Sequence, residues 1–128
     1  MTKQLSLFDA LRRPPVQMAV DADGLVLQTE PHFTFRLPHP RYAWERAEIE
    51  VHQHEGGLWM WSTSHNADMG GGGYRVGAKW GNFAETREDA LFYACVELER
   101  KLEGKVTSDV LMIQKWVANL KDNAEVFE

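Results

Sequence analysis

The period of the hydrophobic pattern changes once along this chain, and that change restricts the fold more than any other feature. Between residues 33 and 80, apolar and polar residues alternate in short runs, most regularly over 33–37 and 46–54. From residue 86 the apolar residues recur at helical spacing, as Leu91, Ala94, Cys95, Leu98 and Leu102. Period two is typical of half-buried strands, and a period of 3.6 is typical of amphipathic helices. Strands followed by helices predict an α+β fold, in which two C-terminal helices cover one face of an antiparallel sheet of about five strands.

Turn and cap residues divide this pattern into predicted elements. Residues 21–24 supply the turn of a predicted hairpin over 17–29. Thr86, with a carboxylate three residues later, predicts the start of the first helix, and Gly104 predicts its end. Ser108 predicts the cap of the second helix. The remaining predictions are strands at 33–37, 46–54, 58–63 and 74–80 and a polar, glycine-rich loop at 64–73.

Length and composition predict one globular domain. The 128 residues are 44% apolar and 26% charged, which is enough for a buried core. We expect a flexible or short helical tail at 1–16, a single domain at 17–122 and an acidic tail at 123–128. Neither a secretory signal nor a transmembrane stretch is recognisable, so we expect a cytoplasmic protein with no membrane partner. The single cysteine, Cys95, excludes an intramolecular disulfide and is predicted to be a core thiol.

The aromatic residues of the predicted strands allow two interpretations. Trp59 and Trp61 share one face of their strand, while Arg75 and Lys79 share one face of the next strand. If the indoles faced solvent beside this basic pair, they could stack on unpaired bases or contact a partner protein. A net charge of −5 argues against broad nucleic-acid binding, which needs a basic surface. We favour the interpretation that both indoles lie in the core beneath the helices, following the burial tendency of large aromatic side chains.

Three histidines are candidate metal ligands. His52 and His54 lie on one side of the predicted strand 46–54, next to Glu50, and His65 follows the next strand. Imidazole and carboxylate groups together can bind a transition metal. This strand face is the polar one, where such residues are usually solvated, so we expect no metal and no cofactor. An enzyme with a metal site built from these histidines and acidic neighbours is the corresponding alternative.

The first ten residues carry the most specific motif of the chain. Gln4, Leu5, Ser6, Leu7 and Phe8 read QLSLF. This pentapeptide resembles the motif by which bacterial replication and repair proteins dock on the β sliding clamp, and all five positions fit that pattern. The resemblance implies that Leu7 and Phe8 fill an apolar pocket and that Gln4 forms hydrogen bonds at its rim, with Leu5 on a second apolar surface and Ser6 as a spacer. The rest of the chain resembles no family.

The same segment allows a second interpretation. Leu5, Phe8 and Leu11 have helical spacing, so the segment could form a short amphipathic helix that packs on the core of its own domain. Pro14 and the proline that follows it would end such a helix. The two interpretations are compatible if the segment folds back only when no partner is present.

The resemblance predicts a function in DNA replication or repair. The predicted protein is a non-enzymatic accessory factor or inhibitor that docks on the clamp and meets DNA indirectly through it, in a bacterial, phage or plasmid setting. The alternative is a small αβ regulatory or interaction module, with single-strand nucleic acid as one class of ligand, in which the motif is accidental.

Overall fold

The change of hydrophobic period corresponds to a sheet followed by helices in the computed structural model, which describes residues 13–21, 24–67, 70–123 and 127. The predicted tail, with its two interpretations, lies outside the described residues up to position 12. The described residues form six strands: β1 (Val16–Gln17), β2 (Phe33–Pro38), β3 (Glu45–Gln53), β4 (Trp59–Ala67), β5 (Gly70–Gly73) and β6 (Asn82–Ala84). They also form a short 3₁₀ helix at Ala78–Trp80 and the helices α1 (Arg87–Lys101) and α2 (Ser108–Asp122). The predicted α+β class is confirmed.

All strand pairs of the sheet are antiparallel, in the order β1-β6-β4-β3-β2. Strand β5 pairs with the second half of β4, so β5 and β6 occupy successive parts of the same edge of β4. In the centre of the sheet, Ile49 lies opposite Thr63 and Val51 lies opposite Trp61. Because side chains alternate between the two faces of a strand, this register places the apolar residues of β3 and β4 together on one face.

That face and the two helices enclose the main core. The strands contribute Ala47, Ile49, Val51 and Trp61, and the helices contribute Leu98, Ile113 and Val117 among others. Burying each large apolar side chain stabilises the fold by about 1.5–3 kcal/mol before entropy costs. Phe127, in the segment predicted as an acidic tail, adds edge-on contacts with Phe33 and Phe35, with ring centroids 4.8 and 5.4 Å away.

One of the two predicted helix caps is confirmed, and the other lies one residue away from the predicted position. The Thr86 hydroxyl accepts a hydrogen bond from the Asp89 amide at 3.1 Å, which confirms the predicted first cap. The second cap is Thr107 rather than the predicted Ser108, since the Thr107 hydroxyl accepts from the Val110 amide at 3.3 Å. Either hydroxyl is chemically suitable, and the extended backbone at Thr107 decides which of them caps the helix.

The opposite face of the sheet carries a smaller apolar cluster. It consists of Met60, Val76 and Phe83, with partly buried Val16, Leu27 and Leu58 around them. Glu50 is buried on this face, where its carboxylate accepts hydrogen bonds from the Ser62 hydroxyl and the Val76 amide, both at 3.1 Å. These bonds fix the chain around Val76 to the sheet.

Two predictions on this face are wrong. The hairpin over 17–29 is absent: residues 18–21 and 24–30 contain no strand, and β1 pairs with β6 instead. The reason is non-local, because the Asp21 and Leu27 amides donate to the carbonyls of Lys79 and Val76, both at 2.8 Å. The predicted strand 74–80 is likewise an irregular segment that ends in the 3₁₀ helix.

The prediction of a glycine-rich loop at 64–73 is also wrong, since the two ends of this segment pair with each other as parts of β4 and β5. The glycines allow this because the backbones approach closely. A Cβ on Gly71 would lie 2.2 Å from the His65 carbonyl oxygen, and a Cβ on Gly73 would lie 2.3 Å from the Ser64 hydroxyl. The glycine run therefore permits close pairing rather than supplying a loop.

Two glycines with positive φ provide a matched test of this packing. Gly81 (φ 71°) would place a Cβ 2.1 Å from the Met18 carbonyl oxygen, whereas Gly104 (φ 79°) has nothing within 4 Å. We expect Gly104→Ala to lower the free energy of unfolding by about 1 kcal/mol, from the backbone conformation alone. Gly81→Ala should cost about 2 kcal/mol, because the added methyl also meets Met18. Urea denaturation of both variants measures the difference, and equal losses would contradict the close approach at Gly81.

Candidate functional site

The clearest exposed feature of the described chain is a pair of aromatic rings between β2 and β3. We call residues 39–44 the aromatic loop. Tyr42 and Trp44 stack with ring centroids 4.3 Å apart and planes inclined by 8°. Both side chains remain half exposed, at 53% and 52%. Large aromatic rings are normally buried in a fold of this size, so a stacked exposed pair suggests a contact surface.

Contacts with α2 and with neighbouring residues hold the aromatic loop in place. The His39 ring lies 4.5 Å from the Tyr42 ring, and its Nδ1 accepts a hydrogen bond from the Arg41 amide at 3.0 Å. Asp109, in the first turn of α2, lies 3.8 Å from His39 Nε2 and accepts from Arg46 Nε at 2.7 Å. The loop is therefore tied to a helix on one side and to β3 on the other.

The sequence interpretation missed this loop because it followed periodic segments. Tyr42 and Trp44 lie between two predicted strands, just after Pro38 and Pro40. Prolines end a strand and direct the chain to the surface, where the neighbouring side chains are exposed. Two large aromatic residues in a connection between strands were the feature of the sequence that could have predicted an exposed aromatic site here.

The aromatic site proposed from the sequence does not assemble. Trp61 is only 4% exposed and its indole nitrogen donates to Glu97 at 3.4 Å, while Trp59 packs partly buried against the same core. The preferred interpretation of these indoles as core residues is confirmed. Arg75 lies on the other face of the sheet, where it donates to the Thr29 carbonyl at 2.8 Å and lies 3.9 Å from the Glu50 carboxylate.

Lys79 is also separate from the tryptophans of β4. It lies in the 3₁₀ helix with its ammonium 4.8 Å from the centre of the Trp80 ring. Base stacking needs an exposed ring beside a cation, and the buried Trp61 provides no such ring. The four residues therefore do not form one surface.

The candidate histidines fall on different sides of the sheet. His52 stacks on His32 with ring centroids 4.0 Å apart. His52 Nδ1 accepts from the His32 amide at 3.1 Å, and His32 Nδ1 accepts from the Gln53 amide at 3.0 Å. His54 contacts Phe83 at 5.6 Å. His65 shares the helix-covered face with Trp61, since the two lie four residues apart on β4.

These positions do not bring the three candidate histidines together. Among residues 13–21, 24–67, 70–123 and 127, no group of three or more potential ligands could hold a metal ion. The Nδ1 atoms of His32 and His52 both accept hydrogen bonds, so the proton of each neutral ring lies on Nε2. A metal ion could bind Nε2 only if that atom were unprotonated.

The same histidines predict a pH dependence of stability. Burial, together with His32 and His54, lowers the pKa of His52 below its ordinary 6.5. Burial and the charges of Lys101 and Lys105 lower the pKa of His65 in the same way. The folded state therefore binds fewer protons than the unfolded state in this range, so stability is complete above pH 6.5 and is lost as the pH falls through the lowered values.

We expect the urea midpoint of unfolding to decrease between pH 7 and pH 5.5. A His52→Asn, His65→Asn double variant should lose most of this decrease, because Asn keeps an acceptor but does not titrate in the range. An unchanged pH dependence in the double variant would assign the effect to other groups.

A second polar group lies between α1 and the sheet, centred on Glu97. We define the Glu97 cluster as Thr63, Tyr74, Asn82, Glu97 and Lys101. The Glu97 carboxylate accepts from the Thr63 hydroxyl at 2.5 Å and from the Tyr74 hydroxyl at 2.8 and 2.9 Å. Lys101 lies 3.3 Å from the same carboxylate and also donates to Thr63 at 3.1 Å. Asn82 donates to the Tyr74 hydroxyl at 3.1 Å.

The electrostatics of the Glu97 cluster favour a structural role. Burial and the neighbouring Glu97 carboxylate raise the pKa of Tyr74 far above its ordinary value, so the phenol stays protonated and donates to the carboxylate. Each oxygen of Glu97 already has a donor, and Thr63 is completely buried. A catalytic carboxylate needs a lone pair directed at substrate, whereas this one joins α1, β4 and the segment after β5.

Comparison of the chain with protein-family models found no match. Comparisons with curated protein sequences and with solved structures also found none.

Proposed function

We propose that this protein is a non-enzymatic binding protein that docks on the bacterial β sliding clamp through residues 4–8, as an accessory factor or inhibitor in replication or repair. The observation that carries the proposal is the QLSLF pentapeptide, in which Gln4, Leu7 and Phe8 have the side chains that the clamp motif requires. An amide at the pocket rim and two adjacent apolar anchors form a compact recognition unit.

The distance from the motif to the domain supports a role at the clamp. Val16 in β1 is the first residue of the sheet, and it follows Phe8 by eight positions. Even a fully extended chain covers only roughly 28 Å over eight residues. A clamp-bound motif would therefore hold the domain directly beside the groove, where it could block other clamp partners or place a second contact near DNA.

Within the described parts of the chain, no helix combines the length and the apolar character that a membrane span requires.

The direct test is a fluorescence-anisotropy titration of the labelled full chain with purified clamp. We expect a dissociation constant in the micromolar range, since a short peptide segment pays an ordering cost when it docks. An unlabelled peptide with the clamp motif should compete, because it would occupy the same groove. No binding at roughly 100 μM clamp would contradict the proposal.

A further inference from the structure

We propose that the aromatic loop binds single-stranded nucleic acid, with Trp44 stacking on an unpaired base, Tyr42 supporting the Trp44 ring from its other face and Arg41 contacting phosphate. This inference goes beyond clamp docking and does not depend on it. The residues involved differ from the tryptophans considered in the sequence, which lie beneath the helices.

The rings have the exposure and geometry that stacking on a base requires. The Tyr42 and Trp44 rings are stacked in nearly parallel planes, and about half of each residue is accessible. An exposed ring of this kind offers a flat surface to any base, because every base has a π face. Stacking on Trp44 would continue a column that already contains the Tyr42 ring.

The loop is also ordered before any ligand arrives. The His39 ring contacts Tyr42, and Asp109 binds Arg46 at the other end of the loop. A surface that is already in place loses little conformational freedom on binding, so even one stacked base together with a phosphate contact can give measurable affinity.

The region around the loop is less acidic than the chain as a whole. Residues 31–46 contain three arginines and one glutamate, and with Glu48 and Asp109, which pair with two of these arginines, the local charge is zero, whereas the whole chain carries −5. Arg36 and Arg46 pair with Glu48 and Asp109. Arg41 is exposed and has no ion pair with any other residue that the structure describes. It is therefore the side chain available for a phosphate.

The test is an anisotropy titration of a labelled 16-nucleotide dT oligonucleotide with the full chain at low salt. We expect a dissociation constant of tens of micromolar and a weak salt dependence: with one phosphate contact, the logarithm of the association constant should fall with the logarithm of the salt concentration with a slope of about −0.7. The Tyr42→Ala, Trp44→Ala double variant should weaken binding at least about tenfold. Tyr42→Phe, Trp44→Phe should keep most of it, because both rings remain.

Two controls separate this proposal from folding and from clamp docking. Leu25 is an exposed apolar residue elsewhere, at 77% exposure, and Leu25→Ala should bind the oligonucleotide as the wild type does. A Leu7→Ala, Phe8→Ala variant should also bind normally, so that failure of one proposal leaves the other intact. The thermal midpoint of each variant, measured by circular dichroism, confirms folding.

Two outcomes would overturn the proposal. One is wild-type binding that the alanine double variant leaves unchanged. The other is no binding of the oligonucleotide at roughly 300 μM protein, above the expected range; if the double variant then lost an identified protein partner, the loop would be a protein-docking surface instead.

Discussion

Replacing Leu7 and Phe8 together with alanine is expected to weaken clamp binding at least about 100-fold. Each anchor contributes roughly 1.5–3 kcal/mol when its side chain is fully buried, so the loss of both removes at least about 3 kcal/mol. A titration that detects micromolar binding by the wild type should then show no saturation for the double variant. Its unfolding should be measured in parallel, to separate loss of the anchors from loss of the fold.

Ser6→Ala is the matched control within the motif. As a small spacer, Ser6 should tolerate loss of its hydroxyl with a change in affinity of no more than a few-fold, near the weak end of hydrogen-bond contributions. If the double variant binds like Ser6→Ala, residues 4–8 are not the docking segment and the resemblance is accidental.

The alternative interpretation of residues 4–11 as a packed helix can be tested on the unbound protein. A helix packed on the core predicts protected amides in hydrogen exchange, whereas an accessible peptide predicts rapid exchange. Packing would also lower the apparent clamp affinity, since only the released fraction of molecules could bind. Protection combined with clamp binding would mean that both interpretations hold in turn.

Replacing Glu97 with alanine is expected to lower the free energy of unfolding by about 3 kcal/mol. The substitution leaves the buried hydroxyl of Thr63 and the partly buried hydroxyl of Tyr74 without their acceptor, and each unsatisfied buried group costs about 1–3 kcal/mol. It also removes the partner of Lys101 at 3.3 Å. Urea denaturation measures the loss, and thermal unfolding should show a decrease of roughly 10 °C.

Glu99→Ala is the control on the same helix. Glu99 also pairs with a lysine, Lys121, at 3.0 Å, but its side chain is 39% exposed. A partly exposed ion pair of this kind contributes about 1 kcal/mol or less. Glu97 in addition accepts from the Thr63 and Tyr74 hydroxyls, so the two substitutions should differ clearly although both remove one carboxylate. Similar losses for the two variants would show that the Glu97 cluster does not join α1 to the sheet in the way described.

The two proposed contacts would reinforce each other at a replication site. A domain tethered to the clamp experiences a high local concentration of nearby DNA, so a weak contact by the aromatic loop could matter there although it is weak in solution. A variant that retains the motif but lacks Tyr42 and Trp44 would separate the two contributions.

Local pattern was sufficient for part of the fold. The alternation over 46–54 corresponds to β3, and the stripe that includes Leu91, Leu98 and Leu102 corresponds to the buried side of α1 and its cap. These predictions succeed because each depends on residues close in sequence, which share one face of one element. The Thr86 cap is local in the same sense.

The errors share a different cause. Residues 24–29 have turn and strand composition, yet the Leu27 amide donates to the Val76 carbonyl and the Asp21 amide before them donates to the Lys79 carbonyl, rather than to a hairpin partner. The glycines at 70–73 resemble a loop, yet they pair with β4 because they lack side chains that would clash with it. In the first case the hydrogen-bond acceptors lie about 50 residues further along the chain, and in the second the two backbones lie too close together for side chains. Local propensity gives no information about either condition.

The sequence by itself determined the α+β class, the helix-facing residues of β3 and the QLSLF motif, because each of these depends only on residues that lie close together in the sequence. Only the tertiary structure decided which aromatic residues are exposed. Trp61 and Trp44 are the same residue type near strands of one sheet, but Trp61 is 4% exposed beneath α1, where Glu97 accepts its indole N–H, while Trp44 in the aromatic loop is 52% exposed. Exposure depends on what the rest of the chain places over a side chain, which is a property of the assembled fold.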